Sequence, residues 1–314
     1  MRAATGMQYE LSASTPNGPA RATITEVAAG LRAYSLNGID LVETFPEHSQ
    51  PPMAAGIVLV PWPNRIRDGR WAQGETTRQL ALTEPARHNA IHGLLRFTPY
   101  REVDFTGSSV TLGATVVPQS GYPFLLDTAV RYSLDDDGLS VTHTLHNAGT
   151  TDAPVAGGAH PYLKIGDVPT GDLVLRVAAG SHIDVDDRLN PVGESGVQGT
   201  RFDLRAGVPV HSLDLDDGFG AVEMHNGRGE HSLTAPDGRS VTLWGDENMR
   251  YVQVFTPRVF PVSTGSEPVI GQAVAIEPMT APADAFNSGA GLRWLAPGES
   301  VTVRWGIRPA GFEA

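Results

Sequence analysis

Residues 233–244 have the sequence LTAPDGRSVTLW, in which the turn pair Asp237-Gly238 separates two short runs that carry branched and aromatic side chains. Asp and Gly both tolerate the positive backbone angle φ that tight β-hairpin turns require. The segment is therefore typical of two antiparallel strands, the second of which ends on Trp244. Because this pattern recurs along the chain, we expect the fold to be built from hairpins.

Similar turn pairs divide the rest of the sequence into short strands. They are Asn37-Gly38, Asp68-Gly69, Asp137-Gly138 and Asn226-Gly227. The clearest predicted strands cover residues 22–26, 57–60, 110–117, 127–134, 139–145, 173–177, 240–244, 251–255, 273–277 and 300–305. No strand alternates with a helix of about ten residues, which disfavours a parallel sheet with a nucleotide crevice. We predict an all-β protein, a large antiparallel β-sandwich.

The stretch 139–146 indicates how such a strand faces the core. Its odd positions are Leu, Val, His and Leu, and its even positions are Ser, Thr, Thr and His. A period of two places one face in the core and the other in water, so His143 is expected on the buried face. No repeat, linker or change of composition splits the chain. We expect residues 1–20 to be an N-terminal extension, either poorly ordered or an edge strand, and residues 21–314 to form a single domain.

Composition excludes several classes of protein. The 314 residues contain no Cys, and 23 basic against 35 acidic residues give a net charge of −12. The lack of Cys excludes a disulfide scaffold, a thiol nucleophile, a zinc finger and an iron–sulfur site. The acidic balance disfavours nucleic acid as a partner, and a Schiff-base enzyme would have to use Lys164, the single lysine.

The sequence shows no targeting or membrane segment. The first twenty residues lack the apolar region of a signal peptide, and no window of 18 apolar residues occurs. We therefore expect a cytoplasmic protein that binds no membrane.

Glu277 is the acidic residue whose context most favours chemistry. It follows the continuous apolar run Ala273-Val-Ala-Ile276 and precedes Pro278. The run predicts a strand buried on both faces, and Pro278 is expected to end its pairing. Burial would raise the pKa of the carboxyl toward neutrality and make Glu277 a usable general base. The alternative is a glutamate bonded to backbone donors at a strand end.

Two histidines stand in stiff or tightly turning segments. His160 lies between Gly157-Gly158 and Pro161-Tyr162, a construction that fixes a side chain at the rim of a sheet, and His92 precedes Gly93. The alternative for each is a loop histidine that bonds to the backbone. His88 and His92 have a spacing that pairs metal ligands only on a helix, which the surrounding sequence does not support, so no metal site is expected.

Arg65 and four aromatic residues could bind a sugar. Arg65 offers a planar fork of donors for hydroxyls or an anion. Flat apolar faces for the C–H surface of a sugar are offered by Trp62, Trp71, Tyr162 and Trp244. The alternative is an arginine on a solvated face and aromatics in the core. The sequence has no phosphate-cradling Gly loop, no G-x-S-x-G elbow and no H-E-x-x-H motif.

Taken in order, four elements resemble the aldose 1-epimerase (galactose mutarotase) family. They are Asn64-Arg65-Ile66, Asn89 with His92-Gly93, His160-Pro161-Tyr162, and Glu277-Pro278 with Asp284-Ala-Phe-Asn287. The C-terminal stretch Leu295-Ala-Pro-Gly-Glu299 also fits, and the resemblance covers residues 22–309. It implies a single β-supersandwich that binds a hexose on its open face and needs no metal or organic cofactor. We expect a monomer or a homodimer whose partner is a small sugar.

The resemblance also implies roles for individual residues. A mutarotase interconverts α and β anomers by opening and reclosing the sugar ring, which needs one acid and one base. Glu277 would be the base toward the anomeric hydroxyl and His160 the acid toward the ring oxygen. His92 would support the ring oxygen or a neighbouring hydroxyl. Substrate contacts would come from Arg65, Asn64, Tyr162, Trp244 and an aspartate, for which Asp216 is nominated with Asp217 and Asp246 as rivals.

Two departures from the family pattern bear on the substrate. His92-Gly93 is followed by Leu94-Leu-Arg-Phe97 where a second Gly is common, and Leu163 stands where Phe usually follows H-P-Y. Both resemble a bacterial branch of the family that includes sulfoquinovose mutarotases. Because Arg96 adds a positive charge near the predicted site, an epimerase of a sulfonated or phosphorylated hexose is one alternative. A non-catalytic carbohydrate-binding sandwich and a glycoside hydrolase, which usually needs two carboxylates, are others.

Overall fold

The computed structural model describes residues 2–263 and 268–312. The strands in the first half of the chain are β1 (Gln8–Thr15), β2 (Gly18–Thr25), β3 (Leu31–Leu36), β4 (Ile39–Asp40), β5 (Val58–Leu59), β6 (Arg65–Arg67), β7 (Arg70–Gln73), β8 (Thr76–Gln79), β9 (Asn89–Ile91), β10 (Arg101–Phe105), β11 (Ser109–Val116), β12 (Leu126–Asp135), β13 (Gly138–Asn147) and β14 (Ala153–Val155).

The second half continues in the same way, with one helical turn near its end. Its strands are β15 (Gly158–Ala159), β16 (Tyr162–Leu163), β17 (Val174–Val177), β18 (Ala179–Val185), β19 (Pro191–Gly196), β20 (Val208–Pro209), β21 (Asp216–Val222), β22 (Met224–His225), β23 (Arg228–Thr234), β24 (Ser240–Asp246), β25 (Tyr251–Phe255), β26 (Phe260–Ser263), β27 (Pro268–Gly271), β28 (Val274–Met279), β29 (Arg293–Leu295) and β30 (Ser300–Ala310). The α-helix is α1 (Ala285–Ser288), and short 3-10 turns cover Pro52–Ala54, Pro85–Arg87, Thr170–Asp172 and Val210–Ser212.

Two large sheets carry most of these strands. The ten-stranded sheet has the order β10-β11-β12-β13-β30-β24-β23-β17-β20, with β22 also paired to β23. The eight-stranded sheet has the order β19-β18-β21-β25-β28-β15-β5, with β16 also paired to β28. A four-stranded sheet, β1-β2-β3-β4, and the ladders β6-β9, β7-β8, β14-β29 and β26-β27 complete the fold. The expected all-β antiparallel sandwich is confirmed.

The predicted hairpin at residues 233–244 belongs to the centre of the larger sheet. Leu233 in β23 pairs with Val241 in β24, and Gly238 has φ of 92°. In β13 the side chains alternate between buried and partly exposed positions, as a period of two requires, and His143 is buried against Thr128. Each of the ten predicted strands overlaps a strand of the structure.

The main core lies between the two large sheets. Leu243 and Ile307 contribute from the ten-stranded sheet, Val254 and Ile276 from the eight-stranded one, and all four belong to one buried cluster. Strand β24 lies against β28, so the two layers meet near the middle of both sheets. Complete burial of such an aliphatic side chain contributes about 1.5–3 kcal/mol, and this contact therefore fixes the frame that holds β28.

The N-terminal residues form regular structure. Strand β1 is the outer strand of the four-stranded sheet, and its Tyr9 and Leu11 are buried in the main core. Strand β2 runs from Gly18 to Thr25 and so crosses from the expected extension into the expected domain. This sheet packs on β11 and β12. No helix in the described part of the chain is long and apolar enough to cross a membrane.

Strand β28 is buried along its whole length, as its apolar run predicts. The expectation that Pro278 ends its pairing was wrong, because Pro278 lies opposite Val252 and the strand continues to Met279. On its other side, the N–H groups of Ile276 and Thr280 donate to Pro161 and Gly157 across the gap between β16 and β15. Pro278 lies between these two donors, opposite the gap between β15 and β16. Because no strand among the described residues accepts a hydrogen bond at that position, the missing N–H of Pro278 costs no ladder bond.

Candidate active site

A cavity of about 490 Å³ lies where β6, β9, β21 and β28 approach one another. All but two of the predicted site residues line it. They are Asn64, Arg65, His92, His160, Asp216 and Glu277. The fold thus brings together side chains that are separated by up to two thirds of the chain.

Glu277 and His160 are in direct contact at the bottom of this cavity. Nε2 of His160 lies 3.3 Å from Oε1 of Glu277, and both side chains are almost completely buried. Glu277 is held on the central strand β28, and His160 occupies the gap between β15 and β16. Oε2 of Glu277 and Nδ1 of His160 make no hydrogen bond with any described residue. Each of the two residues therefore keeps an unused polar atom beside the contact.

Burial moves the pKa values of the pair in opposite directions. Desolvation, reinforced by the charge of Asp216 and opposed by Arg65, raises the pKa of Glu277 well above its usual range. Desolvation, with a smaller contribution from Arg65, lowers the pKa of His160 to about 3. A low-dielectric site disfavours both charged forms. A neutral carboxyl therefore faces a neutral imidazole, and the pair has one proton that can pass between Oε1 of Glu277 and Nε2 of His160.

His92 stands beside His160 on the cavity wall. The two rings meet edge to face with their centroids 5.3 Å apart. His92 has φ of 60°, and its backbone N–H donates to the carbonyl of Asn64, whose own φ is 54°. Residues with branched side chains would be strained in this left-handed conformation. Burial, and then the neighbouring His160 and Arg65, lower the pKa of His92, which favours a neutral ring.

Arg65 and Asp216 form a charged pair that also lines the cavity. Nη2 of Arg65 donates to Oδ2 of Asp216 at 3.2 Å, and Nε2 of Gln253 donates to Oδ1 of Asp216 at 2.8 Å. Asn64 accepts the backbone N–H of Arg65 on its side-chain oxygen at 2.9 Å. Asp216 remains about a quarter exposed (27%), so its oxygens can be reached from the cavity.

The side chain of Asp216 faces the cavity, whereas those of the two alternative aspartates, Asp217 and Asp246, do not. The carboxylate of Asp217 points to the other face of β21, where Oδ1 contacts Nε2 of His182 at 2.8 Å. Asp246 lies at the end of β24 and accepts the backbone N–H groups of Asn248 and Arg304. Of the three aspartates, Asp216 alone is among the residues that line the cavity.

The structure places two predicted substrate-binding residues outside the cavity lining. Tyr162 stacks behind His160 with ring centroids 5.2 Å apart, and its hydroxyl donates to the carbonyl of Met53. Trp244 lies in the ten-stranded sheet under the guanidinium of Arg228, at 4.3 Å. Trp62 and Trp71 also lie in the core, where both pack against the ring of Phe286. The structure therefore gives these aromatic residues packing roles.

Several charged or polar residues at the site were missed as site residues. Glu84 and Arg87 line the cavity, and Gln253 holds Asp216 from behind. Arg96, whose charge was expected near the site, also lines the cavity. Gln253 carried a signal, because it is a polar residue within the apolar strand sequence Tyr251-Val-Gln-Val-Phe255. Glu84 carried none, since it lies in an ordinary loop sequence.

Within residues 2–263 and 268–312, no three His, Asp or Glu side chains are placed to share an ion. His88 is exposed and contacts Asp68 at 3.0 Å, while His92 faces the cavity. The two histidines therefore do not form a pair.

The site combines the parts of a general acid–base centre. A carboxyl and an imidazole that share one proton can pass it to, and accept it from, hydroxyl groups that enter the cavity. Arg65 and Asp216 supply a donor and an acceptor of the kind that polyols use, since each hydroxyl can both donate and accept.

Comparison with known proteins gives one family. The family model described as aldose 1-epimerase matches residues 12–308 of the chain. An uncharacterized protein of Escherichia coli (strain K12), YihR, is 34% identical over 284 residues, which cover 90% of this chain and 88% of that protein.

Solved structures share the fold at lower identity. The GalM/aldose epimerase homologue from C. elegans superposes with a TM-score of 0.83 at 18% identity, covering 97% of this chain and 99% of that one. Galactose 1-epimerase from Lactobacillus acidophilus NCFM gives a TM-score of 0.77 at 22% identity, covering 96% and 93%. These similarities establish the architecture.

Proposed function

This chain belongs to the aldose 1-epimerase family and is an isomerase, and we propose that it interconverts the α and β anomers of a free hexopyranose with Glu277 and His160 as base and acid. The observation that carries the proposal is the 3.3 Å contact between His160 Nε2 and Glu277 Oε1 at the bottom of the cavity. The two oxygens that exchange protons in mutarotation are bonded to the same carbon, so an acid and a base that touch each other can reach both.

The reaction needs the charged tautomer of the pair. A carboxylate on Glu277 accepts the proton of the anomeric hydroxyl, while the Nε2 proton of His160 moves to the ring oxygen. The bond from C1 to the ring oxygen then breaks and leaves a free aldehyde. Rotation about the C1–C2 bond and the reverse proton transfers close the ring on the other face.

The pair of Glu277 and His160 carries the same number of protons in its neutral and its charged tautomer. Burial favours the neutral forms of both groups, which places the proton on Glu277. Moving this proton to Nε2 produces carboxylate and imidazolium without taking a proton from solvent. A bound sugar favours that form, since its anomeric hydroxyl donates to the carboxylate and its ring oxygen accepts from the imidazolium.

The other lining residues orient the sugar. Asp216 would accept a hydroxyl proton, and Arg65 would donate to a hydroxyl oxygen, with Asn64 and Gln253 holding the two in place. His92, kept neutral by its surroundings, would bond to a hydroxyl next to the ring oxygen. Positioned acid–base catalysis supplies about 10²–10⁴-fold in rate, and orientation in the cavity adds to it.

Saturation-transfer NMR over a panel of hexoses tests the proposal. The purified protein should accelerate exchange between anomers of at least one sugar, and Glu277→Gln and His160→Asn should each remove the acceleration. A protein that accelerates none of them, or a Glu277→Gln variant with the full rate, would overturn the mechanism. Binding of a sugar without exchange would instead support a carbohydrate-binding sandwich.

A hexose with an anionic substituent is a second candidate substrate. Arg96 lines the cavity and is half-buried, and this burial lowers its pKa. Its guanidinium stacks over the ring of Phe97 at 4.6 Å and makes no hydrogen bond or ion pair with a residue in the described part of the chain, although the charge of Glu84 acts on it. A partly desolvated cation on a cavity wall favours a sulfonate or phosphate on the sugar. Including a hexose 6-phosphate and a 6-sulfonated hexose in the panel separates the candidates.

A further inference from the structure

The guanidinium of Arg65 is held mainly by Glu84, a residue that the proposed reaction does not use. Nε of Arg65 donates to Oε2 of Glu84 at 2.9 Å and Nη2 donates to Oε1 at 3.0 Å. Two parallel hydrogen bonds between planar charged groups fix both direction and rotation. Asp216 takes the second proton of Nη2. Both side chains of the Arg65–Glu84 pair are largely shielded from solvent.

A donor count shows which nitrogen is left for a ligand. A guanidinium has five N–H groups. Glu84 accepts two of them and Asp216 accepts one, while Nη1 has a single long contact of 3.4 Å with Oδ1 of Asn64. Among the described residues, one N–H of Nη1 therefore has no acceptor, and it belongs to the nitrogen that Glu84 does not hold.

The backbone ties Glu84 to the same corner of the site. Glu84 and Asn89 exchange backbone hydrogen bonds at 2.9 and 3.2 Å across the turn that leads into β9 and His92. Oε1 of Glu84 also accepts from Arg87 at 3.2 Å. Burial opposes ionisation of Glu84, but the hydrogen bonds and charge of Arg65 lower its pKa, so the carboxylate is charged at neutral pH.

We propose that Glu84 is a positioning residue for the isomerisation: it orients Arg65 so that Nη1 faces the sugar, and it balances the guanidinium charge beside Glu277 and His160. The inference rests on the proposed function, because it assigns Arg65 to a sugar hydroxyl. The charge of Arg65 lowers the pKa values of both Glu277 and His160. An anion bonded to Arg65 acts against this effect on both groups.

Glu84→Gln tests both parts of the proposal. The charge-assisted bonds are lost, and kcat/KM should fall roughly 10- to 100-fold, mostly through KM. Because an anion is removed, both limbs of the pH–rate profile should move to lower pH, by about one unit or less. Glu84→Asp keeps the charge and should keep the pH profile. Glu75→Gln is the matched control, because Glu75 is an exposed glutamate in the turn between β7 and β8.

A double-mutant cycle separates positioning from general damage. If Glu84 acts through Arg65, adding Glu84→Gln to Arg65→Gln should change kcat/KM less than about twofold. A full additional loss in the Arg65→Gln background would overturn the inference, as would a Glu84→Gln variant with the kinetics and pH profile of Glu75→Gln.

Two further measurements need no turnover. Calorimetric titration with 1-deoxygalactose and 1-deoxyglucose, which cannot change anomer, should show a weaker Kd in Glu84→Gln than in the wild type. The crystal structure of Glu84→Gln should show the Arg65 guanidinium turned away from its present place, and an unmoved guanidinium would contradict the inference. A wild-type protein that binds these analogues but exchanges no anomers would contradict the proposed function alone.

Discussion

Gln253 and Glu277 lie directly opposite each other on the neighbouring antiparallel strands β25 and β28. Opposite residues in such a pair project to the same face of the sheet. Gln253 donates to Asp216, while Glu277 contacts His160. One rung of the eight-stranded sheet therefore sets the spacing between the residue that would hold a sugar hydroxyl and the candidate base.

Glu277→Gln should remove most of the isomerase activity. The amide keeps the size of the carboxyl but cannot accept a proton, so we expect kcat to fall about 10²–10⁴-fold with a smaller change in KM. Saturation-transfer NMR measures the exchange, and thermal unfolding serves as the control for folding. Because burial raises the pKa of Glu277 and so favours its neutral form, the melting temperature should change little. A variant with an intact rate would exclude Glu277 as the base.

Asp216→Asn and Asp217→Asn should have different effects, although the residues are adjacent. Asp216 faces the cavity, so its variant should raise KM roughly tenfold or more while folding stays intact. Asp217 bonds to His182 on the other face, so its variant should lower the free energy of unfolding by about 1–3 kcal/mol and leave KM near the wild-type value. Urea unfolding and NMR exchange kinetics measure the two quantities. The reverse pattern would point to Asp217 as the sugar ligand.

Arg96→Gln should discriminate between the two substrate candidates. For a hexose with a phosphate or sulfonate, loss of the cation should raise KM at least tenfold, and the difference from the wild type should shrink at high salt. For a neutral hexose the change should be less than about threefold. Parallel kinetics on galactose, a hexose 6-phosphate and a 6-sulfonated hexose make the comparison. Equal effects on all of them would leave Arg96 without a role in charge recognition.

Acid should destabilise the protein through its buried histidines. Burial lowers the pKa of His143 to about 4 and that of His231 to about 3, against 6.5 for an exposed histidine. Below pH 6.5 the unfolded chain binds protons that the native state excludes, so stability falls as the pH falls toward the folded pKa values. Each such histidine contributes up to about 1.4 kcal/mol per pH unit.

His143→Gln isolates one of these contributions, because His143 is not among the residues that line the cavity and its ring bonds to Thr128. The free energy of unfolding in urea, measured at pH 7, 6 and 5, should decline less steeply in this variant than in the wild type. Parallel lines for the two proteins would show that His143 titrates normally in the native state.

The sequence predicts those parts of the fold that depend on local pattern. The hairpin at residues 233–244, the alternation in β13 and the buried run of β28 follow from turn chemistry and from periods that a few neighbouring residues define. The prediction for Pro278 was wrong because the effect of this proline depends on the gap between β15 and β16, which are distant in sequence. That gap is a tertiary feature.

The site residues likewise divide into those that the local sequence indicates and those that only the tertiary structure reveals. Glu277, His160, His92 and Arg65 stand in unusual local contexts and could be singled out before the structure was known. Glu84 could not, because its role arises from the ladder between β6 and β9, which brings it to Arg65. Trp244 was expected to offer the sugar a flat apolar face. It lies instead in β24 of the ten-stranded sheet, beside Arg228.

The position of Glu277 on a strand buried along its whole length bears on how the protein loses activity. A group on a mobile loop can be displaced by local opening, but the amides of a central strand exchange with solvent only when most of the structure opens. Inactivation by heat or urea should therefore coincide with global unfolding, and the backbone amide of Glu277 should be among the last to take up deuterium. We therefore expect the candidate base to keep its place until the whole domain unfolds.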